Sequence, residues 1–257
     1  MASGDLTRHF GTELVELLAE RFVTSWRDFD CRQFCTVARE LEPLSLMQRV
    51  EAIGLALGQV LPPDPAAAWQ ITERILPAPL GERGQPFNDG YWMLPVAAYW
   101  SLAHCPPADA SGKPRHPGDT EALNTVLRAL EELTQRGTSE FAIRRCAQAH
   151  PAAVAERVHD WTHHASFHVR RLASEGTRPY LPWGGKLRVS RDQQYAYLEA
   201  ITPLARDVSR YVRRSIGNHV RDWRRIDSDV ADRWIADHDP PADVRKLAEP
   251  KKHRRSS

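Results

Sequence analysis

The sequence predicts an all-α fold: a HEAT-like helical-repeat solenoid, C-shaped, with a concave basic groove. Three observations carry that expectation. Apolar residues recur at helical spacing almost throughout, and no alternating apolar–polar run is long enough for a strand. Three segments of the second half also begin alike, each pairing an apolar residue with two arginines: Phe141-Ala142-Ile143-Arg144-Arg145, His168-Val169-Arg170-Arg171 and Tyr211-Val212-Arg213-Arg214. Helix pairs that recur at intervals of tens of residues are the sequence mark of an α-solenoid, whose second helices line one concave face. Arginines repeated there make a groove suited to a polyanion.

The elements follow in order. Thr12-Glu13-Leu14-Val15 opens an amphipathic helix running to about Trp26. Cys31 to Leu41 and Leu46 to Leu61 are two more, the second stopped by Pro62-Pro63. Asp64-Pro65 pairs an N-cap with a proline at the first helical position, and that helix reaches about Ile75. Leu80 to Gly90 is a turn-rich connector. Tyr91 to His104, apolar and aromatic, is a buried helix with Pro95 in its first turn. Cys105 to Asp119, with four prolines and two glycines, is a long exposed loop or partly disordered insertion. Thr120 to Arg136 is an amphipathic helix ending at Gly137. The three basic helices then alternate with partners at roughly 152–163, 193–205 and 230–238.

Composition narrows the class of protein. A chain of 257 residues has ample material for a buried core, read here as one domain over 1–245 with the insertion near 105–119 and a disordered basic tail over 246–257. The balance of 35 basic and 33 acidic residues leaves a net charge of +2, so total charge selects no partner. Arginine is instead concentrated after residue 136. Cys31, Cys35, Cys105 and Cys146 form no C-x-x-C pair and read as reduced thiols. With no signal peptide and no apolar run approaching a membrane span, the expected location is the cytoplasm, in association with the nucleoid.

The densest chemistry lies between Ser166 and Leu187. Arg171 and Glu175 are four apart on one helix face and able to pair. Arg178 follows the glycine that ends the helix, and Pro179 and Pro182 stiffen a turn that carries Trp183. Trp183 either plugs the core or holds a fixed place beside Glu175, which either balances two arginines or does chemistry. In the third repeat, Arg214, Asn218 and Asp222 are spaced by four as a polar stripe flanked by further arginines. Asp222 is either a charge-balancing residue or a carboxylate kept ionised by cationic neighbours. Thr138 or Ser139 is an N-cap, and Glu140 in the first turn suits the helix dipole without any further role. His159, His163, His164 and His168 lack the H-E-x-x-H pattern, and no phosphate-binding loop or nucleophile elbow occurs. No metal and no cofactor is expected.

TSEFAIR (138–144), HVRRLASEGTRPYLPW (168–183) and YVRRSIGNHVRD (211–222) together resemble the AlkC-type bacterial DNA alkylation repair glycosylases, of the HEAT-like-repeat superfamily that also contains AlkD. The central motif differs from the family form only at Tyr180. Arg145-Cys146 stands where the family has Pro-Phe, and Gly217-Asn218-His219-Val220-Arg221 where it has Ala-Asn-Asn-Leu-Asn. The resemblance covers about residues 120 to 240. It implies a monomeric, metal-free glycosylase acting on double-stranded DNA that contains alkylated bases. The reaction it implies is hydrolysis of the N-glycosidic bond of cationic bases such as 3-methyladenine and, in the AlkC type, 3-methylcytosine. It further implies that Glu140, Glu175 and Asp222 are the acids around the lesion, with Trp183 as the aromatic wall. Arg144, Arg170, Arg171, Arg178, Arg213, Arg214 and Asn218 would hold the DNA.

Such a reaction suits those residue types. A methylated cationic base is already a good leaving group, so the enzyme must chiefly stabilise an oxocarbenium-like sugar and place a water, which is work for carboxylates. An indole face near a cationic base adds roughly 0.5–2 kcal/mol over a neutral one. A different class of protein fits the same repeats: a non-catalytic HEAT-repeat module that binds DNA or protein.

Overall fold

The computed structural model describes residues 6–81, 90–182 and 184–250. The expected basic tail beyond residue 250, most of the 80–90 connector and Trp183 lie outside the described residues. The chain is all-α and forms two compact units that divide between His150 and Pro151.

The first unit contains α1 (Thr12–Ser25), α2 (Cys31–Cys35), α3 (Leu46–Val60), α4 (Pro65–Ile75), α5 (Leu94–His104), α6 (Asp119–Thr134) and α7 (Ile143–Ala149). Short 3-10 turns at Thr36–Glu40 and Tyr91–Met93 extend α2 and precede α5. The Asp64 side chain accepts from the Ala67 amide at 2.8 Å, so α4 starts where the Asp-Pro signal places it. The core is built on α5, where Tyr99 and Trp100 are fully buried and α3 packs across them. Gly54 permits that approach: a β-carbon there would stand 2.9 Å from the Tyr99 backbone nitrogen. The 105–119 stretch is ordered by its own side chains. Asp109 Oδ1 accepts from the Ser111 and Lys113 amides, Asp119 Oδ2 accepts from the Arg115 and His116 amides, and Ala108 bridges Pro114. The last helix of the unit begins at Ile143, with Ser139 O accepting from the Ile143 amide. Glu140 therefore sits in the turn before α7 and not in its first helical turn.

The second unit stacks three helix pairs: α8 (Pro151–Trp161) with α9 (Phe167–Gly176), α10 (Arg191–Ala200) with α11 (Arg210–Arg224), and α12 (Ser228–His238) with α13 (Ala242–Ala248). The second helices lie side by side, α9 on α11 and α11 on α13, and α8 packs on α10. A 3-10 turn, Thr202–Arg206, follows α10, and the Trp234 indole of α12 donates to Thr202 Oγ1 at 3.2 Å. Between α9 and α10 is a two-residue hairpin, β1 (Tyr180–Leu181) on β2 (Gly185–Lys186), too short to show as alternation. The last residues of helix α13 fall inside the stretch expected to be tail. Its seven residues are too few to show a periodic pattern, and it is held by contact with α11. A β-carbon on Gly217 would come within 2.5 Å of Leu247 Cβ and 3.0 Å of Val244 O. Having no side chain, Gly217 is what lets α13 lie this close.

Two of the three arginine pairs mark a structural repeat, while Arg144-Arg145 falls at the start of α7 in the first unit. Arg170, Arg213 and Arg245 are each the fourth residue of a second helix. Arg170 reaches back to His164 O and Ala165 O, both at 2.9 Å, and Arg213 to Asp207 O at 2.9 Å and Val208 O at 3.0 Å. Arg245 donates to Pro240 O at 2.7 Å. Each guanidinium closes the turn entering its own helix and also pairs with a carboxylate: Asp207, Asp243 and Asp239 respectively.

Candidate active site

The geometry gathers two of the three expected acids in the second unit. Glu175 is in the last turn of α9 and Asp222 in the last turn of α11, and Arg178, two residues beyond the end of α9, joins them. One guanidinium nitrogen of Arg178 donates to Glu175 Oε1 at 2.6 Å. Its Nε and NH2 both reach Asp222 Oδ2 at 2.9 Å. All three are buried: Glu175 is 7% exposed, Arg178 4% and Asp222 1%. Arg225 approaches the other Asp222 oxygen at 3.9 Å from a largely exposed position.

A hydroxyl relay completes the cluster. Ser215 Oγ donates to Glu175 Oε2 at 2.7 Å, and Ser174 Oγ donates to Ser215 Oγ at 2.6 Å. His219 Nδ1 meets Ser174 O at 2.9 Å, so the imidazole packs against the backbone immediately before Glu175. Both Ser174 and Ser215 are buried, which makes every one of these donors count.

The two carboxyls sit in opposed electrostatic settings. Burial penalises the Glu175 carboxylate, but Arg171, Arg178 and the Ser215 hydroxyl outweigh that and hold it below the usual glutamate range. Burial dominates at Asp222 and pushes its proton affinity up, against the pull of Arg178, Arg225 and Arg221. Arg178 itself loses solvation but is held more firmly protonated by both acids. A pair of acids with divergent proton affinities at one locus can divide labour, one staying anionic and the other exchanging a proton.

The expected stripe of Arg214, Asn218 and Asp222 resolves differently. Steps of four overshoot a 3.6-residue turn, so eight residues rotate about 80° off the starting face. Arg214 is exposed, Asn218 half-buried and bonded through Oδ1 to Arg221 at 2.7 Å, and Asp222 faces inward. Seven residues return to within about 20° of the starting face, and it is Ser215 that shares the inner face with Asp222. The sequence carries that spacing as Ser215-x6-Asp222, with Ser174 beside Glu175.

The remaining expected site residues divide as follows. Arg170 and Arg213, expected to hold DNA, are engaged by the protein's own carbonyls and carboxylates. Arg178, expected to do the same, is the bridge between the acids. Arg171 lies over the Tyr211 ring at 4.5 Å and contributes to the field at Glu175. Arg214 is exposed on α11. Glu140 and Arg144 belong to the first unit and are both buried there. Trp183 is outside the described residues. Among the described residues no three His, Cys, Asp or Glu side chains group as for a metal ion, and no helix is long and apolar enough to cross a membrane.

No family model matches the chain. It is 29% identical over 240 residues to the uncharacterized protein YhaZ of Bacillus subtilis (strain 168), covering 91% of this chain and 60% of that protein. Among solved structures it is similar to Pseudomonas fluorescens alkylpurine DNA glycosylase AlkC bound to DNA containing an abasic site analog, with a TM-score of 0.72 at 24% identity. That superposition takes in 95% of this chain and 63% of the solved one, so the chain spans about three fifths of the length of each protein. The likeness reaches well beyond residues 120 to 240 and includes the helices of the first unit: this chain has the all-α fold of that DNA-bound glycosylase.

Proposed function

We propose that the protein is a DNA glycosylase of base excision repair, hydrolysing the N-glycosidic bond of cationic alkylated bases, 3-methyladenine foremost and 3-methylcytosine as a second substrate. The observation that carries this reading is the buried Glu175–Arg178–Asp222 cluster on a fold shared with a DNA-bound alkylpurine glycosylase. Glu175, held anionic, stabilises the positive charge that develops on the sugar as the base departs. Asp222, with its raised proton affinity, takes the proton of the attacking water. The leaving base already carries its charge, so no acid need protonate it. The resemblance adds Trp183 as the aromatic surface for the cationic base. Arg171, Arg214 and Asn218 supply contacts to the DNA backbone.

The test is release of methylated bases from alkylated genomic DNA, resolved by chromatography. Glu175→Gln and Asp222→Asn each abolish 3-methyladenine release while circular dichroism reports an intact helical fold. Near-normal release from both variants removes the assignment.

One observation favours a second reading. Both Glu175 oxygens and one Asp222 oxygen are already satisfied within the protein, as in a structural ion triad. A non-catalytic DNA- or protein-binding module would show that arrangement and release no base from any alkylated DNA, although DNA binding could persist.

A further inference from the structure

The first unit holds a cavity that the proposed chemistry does not use. It has a volume of about 730 Å³ and opens between the second half of α1 and the end of α4. That is within the range of small-molecule sites, roughly 300–1,000 Å³. Its lining is mixed: Leu17, Ile75, Leu76 and Pro77 supply an apolar wall, and Arg21 and Arg74 supply two guanidiniums.

The walls are fixed by the protein's own bonds. Arg74 donates to Ser25 O at 3.2 Å, which ties the end of α4 to the end of α1. Pro77 O accepts from Arg136 Nε at 2.7 Å, which holds the chain just beyond α4. Arg21 lies over the buried Trp92 indole with its guanidinium carbon 4.2 Å from the ring centroid, a cation–π contact that sets its orientation.

Neither Arg21 nor Arg74 has a carboxylate within ion-pair distance among the described residues. Arg136 of the same unit, by contrast, meets Glu132 at 2.6 Å. Arg21 Nε is sealed from solvent and has no hydrogen-bond partner among the described residues. The guanidinium charge is delocalised, so an anion at the terminal nitrogens compensates the whole ion. The Thr24 and Ser25 hydroxyls already donate to Glu20 O at 2.8 Å and Phe22 O at 3.0 Å. The two guanidiniums are therefore the donors that the lining side chains have left to offer, against one exposed carboxylate, Glu20.

We propose that this cavity binds a small organic oxyanion, a phosphate or carboxylate held by Arg21 and Arg74 on an apolar body that covers Leu17, Ile75 and Leu76. The guanidinium fork presents paired N–H groups that match either oxyanion. A bare ion would leave the apolar wall in water, whereas a ring or alkyl body removes that area from it. The site is built wholly from the first unit and does not rest on the glycosylase reading.

The experiment titrates the full chain by isothermal calorimetry with phenyl phosphate, benzoate, inorganic phosphate and benzyl alcohol. Phenyl phosphate or benzoate should saturate with a Kd of about 1 mM or tighter, and the stronger of the two assigns the oxyanion. Inorganic phosphate should bind more weakly, and benzyl alcohol should not saturate. Arg21→Gln and Arg74→Gln should each weaken the aromatic anion about tenfold or more, and Glu20→Gln should tighten it. Base release from alkylated DNA should be unchanged in Arg74→Gln. Failure of both aromatic anions to saturate overturns the proposal. So does binding that is the same in wild-type, Arg21→Gln and Arg74→Gln proteins, which would place the anion on other arginines. If Arg21→Gln does not fold for want of its contact with Trp92, exposed Arg74 still decides.

Discussion

Replacing Arg178 with methionine keeps most of the side-chain volume and removes the charge that joins Glu175 to Asp222. In the folded protein this leaves two acids, 7% and 1% exposed, without the donors now at 2.6 and 2.9 Å. Breaking a buried pair by deleting one partner costs about 3–5 kcal/mol. Glu175 retains Ser215 and the field of Arg171, and Asp222 can take up a proton, so the two losses do not add. We expect about 3–5 kcal/mol of destabilisation for Arg178→Met at around pH 8, measured by urea unfolding with the m-value compared between proteins. The sign with pH follows from proton affinity. Without Arg178 both folded-state affinities rise, so the penalty applies where the acids are ionised and shrinks as pH falls through their new values. In the wild-type protein Glu175 contributes stability above the unfolded carboxylate value and loses it as pH falls through its own lowered value. Asp222 has the opposite sign, its contribution fading as pH rises through its raised value. A penalty below about 1 kcal/mol at neutral pH, or one that does not change on acidification, would refute the account of this cluster.

Three further outcomes follow. Ser215→Ala removes one hydrogen bond to a charged acceptor, costing about 1.5–3 kcal/mol; by raising the Glu175 proton affinity it also moves the acidic limb of the base-release pH profile upward, which a purely structural serine would not do. Gly217→Ala improves intrinsic helix propensity by about 1 kcal/mol, yet the methyl meets Leu247 Cβ at 2.5 Å, so thermal unfolding should occur at lower temperature; an unchanged or higher midpoint contradicts the packing described. Arg214→Ala should weaken DNA binding and reduce the salt slope by about one with little change in stability, whereas Arg213→Ala should lower stability first, as fluorescence-anisotropy titrations and melting curves on the two variants would distinguish.

The helices were legible in the sequence because each carries its own periodicity and punctuation, as Asp64-Pro65 shows. Helix α13 was not legible, because seven residues hold too short a pattern and their order comes from the surface of α11. The acids Glu175 and Asp222 could be singled out from charge density, but Arg178 as their bridge could not: local spacing says nothing of a partner 44 positions away. Counting in fours also misled, since it grouped Asp222 with exposed Arg214 and hid Ser215. Two of the three arginine pairs announced the repeat, and the first, Arg144-Arg145, belongs to the other unit. In the second unit Arg170 and Arg213, the first members, close their own turns, whereas of the second members Arg214 is exposed and Arg171 lies over the Tyr211 ring.

Asp207 belongs to two consecutive layers of the second unit at once. Its carboxylate receives Arg170 of the layer before, and its carbonyl receives Arg213 of its own. Such a shared hinge-pin ties the integrity of one layer to that of the next, so a chain shortened by one whole repeat would leave a guanidinium with no acid to meet. Solenoids in which every layer closes on itself can gain or lose units freely; this one is spliced, and its length is guarded by an aspartate that binds two layers at once.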